Sequence, residues 1–178
     1  MSNVNEDILF EKLEEVNINS EYVHELTDEL VKSCSDKLDA YIEYVANKLN
    51  DTGSYNLTNA QLDDIVMAIP TLLYFVGTQQ EKIGLKHDVS KQTRNKLYNK
   101  VYSETVGAVG VKKAAAEQFI FYEDLVTIVL DNAYQTLKSK VTYATEILQS
   151  AKKIMSRRMT ETELSRITPN RERIITNE

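Results

Sequence analysis

Between Lys91 and Tyr102 the chain reads Lys91-Gln92-Thr93-Arg94-Asn95-Lys96-Leu97-Tyr98-Asn99-Lys100-Val101-Tyr102, a run that mixes bases with aromatic rings. Lysine and arginine supply the long-range, salt-sensitive attraction to phosphates. Tyrosine rings offer flat faces on which unpaired bases stack, worth about 1–3 kcal/mol per base. On one helix Lys96 and Lys100 lie a turn apart, and Arg94, Tyr98 and Tyr102 repeat at the same spacing nearby. Lys91, Arg94, Lys96, Tyr98, Lys100 and Tyr102 are therefore the candidate residues for single-stranded nucleic acid. The competing reading packs Tyr98 and Tyr102 into a bundle and leaves the bases to solvate its exterior. A second cluster, Lys152, Lys153, Arg157 and Arg158, either extends the track or offsets the negative end of a helix dipole.

Other chemistry is not spelled out. His24 and His87 lie in different segments, and neither has a second ligand at metal spacing, so no metal site is expected. Cys34 is the single cysteine, which excludes an internal disulfide framework; it reads as an inert, partly buried thiol. Asp63 and Asp64 are adjacent and would point about 100° apart on a helix, a poor catalytic pair. Gly77, Gly84, Gly107 and Gly110 form no phosphate loop. No serine or threonine has a placeable histidine–acid partner. Neither an enzyme nor a cofactor is expected.

The elements that would carry these residues are helical. Five Gly and two Pro in 178 residues argue against sandwiches, barrels and doubly wound folds, which need many tight turns. A short amphipathic helix is expected over Ile8–Val16, with apolar Ile8, Leu9, Leu13 and Val16. It breaks at Asn17-Ile18-Asn19-Ser20, and Ser20 caps the next helix, which runs to about Asn50. That helix carries Val23, Leu26, Leu30, Val31, Leu38, Ile42, Val45 and Leu49, mostly in steps of three and four. Asp51-Thr52-Gly53-Ser54 reads as a turn. Thr58 and Gln61 form a capping box for a helix over Asn59 to about Ile83. Pro70 should kink or briefly break it, and Gly84 should cap its end. A further helix is expected over Val89–Thr105, then a break at Gly107-Ala108-Val109-Gly110.

The last segment has the strongest periodicity. Phe119, Tyr122, Val126, Leu130, Ala133, Leu137, Val141, Ala144, Leu148, Ala151 and Met155 form one stripe of threes and fours. No Gly or Pro falls between Val111 and Thr168. A single helix over about 111–159 is expected. It cannot bury its stripe alone and must pack on this chain or on a second copy in coiled-coil fashion. Leu137, Val141, Leu148 and Met155 are the expected oligomerisation residues. Thr160 and Glu163 form another capping box for a short restarted helix, followed from Pro169 by a polar tail. The expected fold is all-α, an elongated bundle or hairpin. An acidic arm (1–51) precedes the core (58–159), which holds the basic segment 82–113, and a short helix and tail (160–178) close the chain.

Composition bounds the rest. With 42% hydrophobic and 27% charged residues the chain can build a core and stay in solution. Met1–Glu15 is acidic with no apolar run, so it does not read as a signal peptide. The longest apolar stretch, Ile65–Val76, is too short for a span and contains Pro70, so no membrane role is expected and a cytoplasmic location is. The net charge of −6 is uneven: residues 1–60 hold thirteen acids against four bases, and 61–178 hold fourteen against seventeen. Such asymmetry suits polyanion binding, or an acidic segment that docks on a partner or masks a basic surface.

At the basic run the chain resembles the UvsY-type recombination mediators of tailed phages. That family carries a helical element of the form Lys-x-Arg-Leu followed by tyrosines; Arg94-Asn95-Lys96-Leu97-Tyr98 is similar, with the bases exchanged and no doubled tyrosine. Ala133-Tyr134-Gln135-Thr136-Leu137-Lys138-Ser139-Lys140 is similar to a second family segment, Ala-x-x-x-Ile-Lys-Ser-Arg, in the part of the family that assembles protomers into a ring. The resemblance covers about residues 70–155. It implies a non-enzymatic, oligomeric accessory factor that binds single-stranded DNA already covered by a single-strand binding protein and helps load a RecA-like recombinase. Two rivals use the same features. One is a virion structural or assembly protein, such as a tail or neck component or a chaperone, acting through helix contacts. The other is an acidic interaction module that binds a host enzyme through residues 1–51, in the manner of a nucleic-acid mimic.

Overall fold

The computed structural model describes residues 3–53 and 56–175, and side chains over 14, 16–51, 53 and 56–166. Among the described residues the chain forms four α-helices and no strand: α1 (Asn3–Thr52), α2 (Asn59–Glu104), α3 (Val109–Phe119) and α4 (Phe121–Ile175). The chain is all-α, as its low Gly and Pro content implies.

Two of the turns fall where the residues demand them. Gly53 takes a positive φ of 72° and donates its backbone N–H to the Leu49 carbonyl at 2.8 Å, a left-handed C-cap for α1. The fourth residue of that expected turn, Ser54, lies outside the described residues. At the start of α2 the capping box closes in both directions. The Gln61 N–H donates to Thr58 Oγ1 (3.2 Å), and the Thr58 N–H donates to Gln61 Oε1 (2.8 Å). After α2 ends at Glu104, Gly107 adopts φ +142° before α3 begins.

Four expected breaks do not occur. α1 runs through Asn17-Ile18-Asn19-Ser20, so Ser20 is mid-helix and caps nothing. Asn17, Ile18 and Ser20 are exposed there, and poor helix formers cost only a few tenths of a kcal/mol each inside a long helix. Ile8, Leu9 and Leu13, expected on a separate helix, have side chains outside the described residues. α2 runs unbroken through Pro70, which sits at an exposed position. Gly84 does not end that helix: a Cβ added there would meet the Tyr134 ring at 3.2 Å, so the residue serves close packing of α4. At the fourth site α4 passes Thr160, whose hydroxyl donates back to the Ser156 carbonyl (3.1 Å) instead of capping, and continues through Pro169 to Ile175. One break was not expected: the helix over 111–159 is interrupted at Ile120, the residue that joins α3 to α4, whose side chain is fully buried.

α1, α2 and α4 each contribute to two compact units. The first comprises 1–36 and 77–139, so most of the acidic N-terminal segment shares a unit with the basic segment. Its core holds Val31, Ile83, Ala116, Ile120, Ala133 and Leu137, with Thr27 and Ser35 returning their hydroxyls to the Val23 and Val31 carbonyls. The second comprises 37–76 and 140–178. Its core holds Leu38, Val45, Leu62, Ile65, Ile69 and Leu148, among others, and the Lys140–Asp39 pair (2.6 Å) and the Tyr41–Asp64 bond (2.8 Å) tie its helices together.

α2 also contains an eighteen-residue window that is long and apolar enough to cross a membrane by length and composition, and only 22% of it is buried. Counting the uninterrupted apolar run alone misses this window.

Candidate nucleic-acid interface

The basic run lies wholly in the second half of α2, where a helix advances about 100° per residue. By that rotation Tyr98 stands about 160° from both Lys96 and Lys100. Lys91, Tyr98 and Tyr102 share one flank, and Lys96 and Lys100 share the other. The expected mixture of bases and rings on a single surface is therefore divided by the packed face of the helix.

On the tyrosine flank the rings are engaged within the fold. Tyr98 and Tyr102 are half-buried and stack on each other, with centroids 6.1 Å apart and planes 15° apart. Lys112 of α3 places its ammonium 5.9 Å from the Tyr102 centroid. Arg94 is also engaged. Its Nε donates to Asp124 Oδ1 (2.6 Å) and its Nη2 to Asp124 Oδ2 (3.4 Å), a forked pair joining α2 to α4, and Nη1 reaches Asn95 Oδ1 (3.2 Å). The hydrogen bond to Asp124 raises the guanidinium pKa further above its already high ordinary value. Lys91 is exposed beside this cluster and has no ion-pair partner among the described residues.

On the other flank the geometry is open. Lys96 and Lys100 continue a face that begins at Lys82 and Lys86, so four lysines recur at i, i+4, i+14 and i+18, within about 40° of one line. All four are exposed, and none has an ion-pair partner among the described residues. No acid lies on this face between Lys82 and Lys100; Asp88 lies off it, beside His87 (3.7 Å). Lys82 and Lys86 stand outside the sequence-derived candidates because that site was drawn around the tyrosines. A helix continued through Gly84 brings them into register with Lys96 and Lys100.

The second cluster belongs to the other compact unit. Lys152 and Lys153 are exposed. Arg157 pairs with Glu161 (2.8 Å), and Arg158 donates to Asn59 Oδ1 (3.0 Å) at an open cleft of about 360 Å³ that Asp63 and Glu163 also line. Of the residues expected to join copies, Leu137 and Leu148 are buried by the chain itself, and Val141 and Met155 are half-buried. His24 pairs with Asp28 across one turn (3.4 Å) on an exposed face. Among the described residues no three His, Cys, Asp or Glu side chains gather closely enough to hold a metal ion.

Compared with protein-family models, curated proteins and solved structures, the chain matches none of them.

Proposed function

We propose that this chain is a non-enzymatic accessory factor that captures single-stranded DNA along the lysine face of α2. The observation that carries the proposal is the face itself: Lys82, Lys86, Lys96 and Lys100, exposed, on one line of one helix, with no acid on that face between them. Ammonium groups so placed track a backbone without reading bases, which fits a factor indifferent to sequence. Arg94 helps set the position of α2 and makes no strand contact in this scheme. Tyr98 and Tyr102 pack at its edge. The resemblance of this segment to recombination mediators extends the proposal to a role beside a RecA-like recombinase and a single-strand binding protein. Assembly of several copies would multiply four weak phosphate contacts into useful avidity.

The test is fluorescence anisotropy of a labelled thymidine oligonucleotide against the full chain at several salt concentrations. Four neutralised phosphates on a single strand give a log–log salt slope of about −3. Replacing all four lysines by glutamine should remove most of that slope and weaken binding at least about tenfold at low salt. Absence of salt-sensitive binding by the folded chain, or unchanged binding by the quadruple variant, would overturn the proposal.

A second reading, a virion or assembly protein working through helix contacts, has its own supporting observation. The first part of the α4 stripe is left uncovered: Tyr122 is 75% exposed and Val126 52%. That reading predicts self-association or partner binding with no DNA affinity at any salt.

A further inference from the structure

In the first compact unit an apolar groove of about 220 Å³ runs between α1 and α4. Tyr22 and Leu26 line it from α1; Tyr122, Val126, Val129 and Leu130 line it from α4. Tyr22, Tyr122 and Val126 are each more than half exposed, so no described residue fills the groove. Beside it α1 carries Glu21, Glu25 and Glu29, three exposed carboxylates one turn apart, running parallel to the Tyr22–Leu26 line. None of the three has an ion-pair partner among the described residues, and no lysine or arginine lies between Glu14 and Glu29.

Apolar anchors flanked by a carboxylate row fit one kind of occupant. A helix whose apolar stripe enters the groove and whose flank presents lysine or arginine satisfies both features. Two copies of this groove placed face to face would set carboxylate row against carboxylate row, which like-charge repulsion disfavours. We infer that the groove between α1 and α4 is a docking site for a basic amphipathic helix of a partner protein. The apolar contact supplies the hold, and the row Glu21–Glu25–Glu29 supplies the preference for a basic over an acidic helix and the speed of capture.

The probe is an eighteen-residue peptide of leucine and lysine in amphipathic helical order, with a leucine–glutamate peptide of the same order as its counterpart. Each peptide carries a fluorescent dye at its N-terminus, and binding to the full chain is followed by the anisotropy of that dye. The lysine peptide should bind with an affinity that falls as salt rises, and the glutamate peptide at least about tenfold more weakly. Tyr22→Ser with Val126→Ser should weaken the lysine peptide at every salt concentration. Glu21→Gln/Glu25→Gln/Glu29→Gln should weaken it about fivefold at low salt and little at high salt. All these positions are exposed, and unchanged helical circular dichroism verifies that the variants fold. The carboxylate variant should still bind oligonucleotide, so this proposal and the DNA proposal fail separately. Equal binding of both peptides, or wild-type binding by the Tyr22/Val126 variant, would overturn the inference. So would concentration-dependent self-association of the chain alone that the Tyr22/Val126 variant abolishes, because the occupant would then be a second copy.

Discussion

Arg94 shows how one side chain changes meaning between sequence and fold. Its type and neighbours suit a phosphate, yet its guanidinium is spent on Asp124 across 30 residues of chain. Both partners are a third or more exposed, so water screens the pair and Arg94→Ala should cost no more than about 1 kcal/mol in denaturant unfolding. The same substitution should leave the salt slope of oligonucleotide binding unchanged, whereas Lys96→Gln/Lys100→Gln should shrink it by about 1.4. Tyr41 offers a second residue-scale test. Burial, and then the hydrogen bond it donates to Asp64, push its hydroxyl well above the ordinary tyrosine range. The folded pKa thus lies above the unfolded one, so the protonated form favours the fold. That stabilisation is fully present below about pH 10, the unfolded value, and is lost as pH climbs toward the folded value. Stability should therefore fall more steeply above that point in the parent chain than in Tyr41→Phe, and the gap between them in urea unfolding should close. A tyrosine that ionises late in an ultraviolet titration should disappear in the same variant. A gap that is constant with pH would refute this account.

At the scale of elements the glycines separate strain from looseness. Gly107 holds φ +142°, where a Cβ is unwelcome, and an added Cβ would also meet Val111 at 3.4 Å. Gly110, in the first turn of α3, and Gly77, inside α2, have open space around an added Cβ. Gly107→Ala should destabilise by about 1–3 kcal/mol, and Gly77→Ala should stabilise by about 0.5–1 kcal/mol, read from urea midpoints. Equal effects would mean that the α2–α3 connection relaxes freely. These positions also show what the sequence makes legible. Capping chemistry that is local and reciprocal, as at Thr58–Gln61, and a left-handed turn at Gly53 could be read directly. The stripe from Ala133 to Ala151 could be read as core because its period persists. Gly84 could not be read, because its reason is the Tyr134 ring fifty residues away. Thr160–Glu163 matches a capping box by type, but a hydroxyl inside a helix can equally return to the carbonyl four residues back, and there it does. The lysine face was legible in part: its residues were visible as a charge run, and the separation of Lys96 and Lys100 from Tyr98 follows from helical rotation, while the alignment of Lys82 and Lys86 with them required a helix unbroken through Gly84.

For the molecule as a whole, the charge that opposes DNA binding is localised. The first compact unit holds seventeen acids against eleven bases, whereas the second balances ten against ten. The lysine face of α2 and the carboxylate row of α1 belong to the same unit, so a strand approaching the lysines feels both. The attraction acts at contact and the repulsion acts at a distance, and salt screens the distant term first. Neutralising Glu21, Glu25 and Glu29 to glutamine should therefore raise oligonucleotide affinity a fewfold near 0.01 M salt, where the Debye length is about 30 Å. Near 0.15 M, where it is about 8 Å, the gain should largely vanish. If instead the carboxylates covered the lysines by direct contact, the gain would persist at both salt concentrations. The structure gives no ion pair between the two rows among the described residues, so the screened behaviour is the expected one. Parallel titrations of the parent and the triple variant at the two salt concentrations decide between repulsion at a distance and masking by contact.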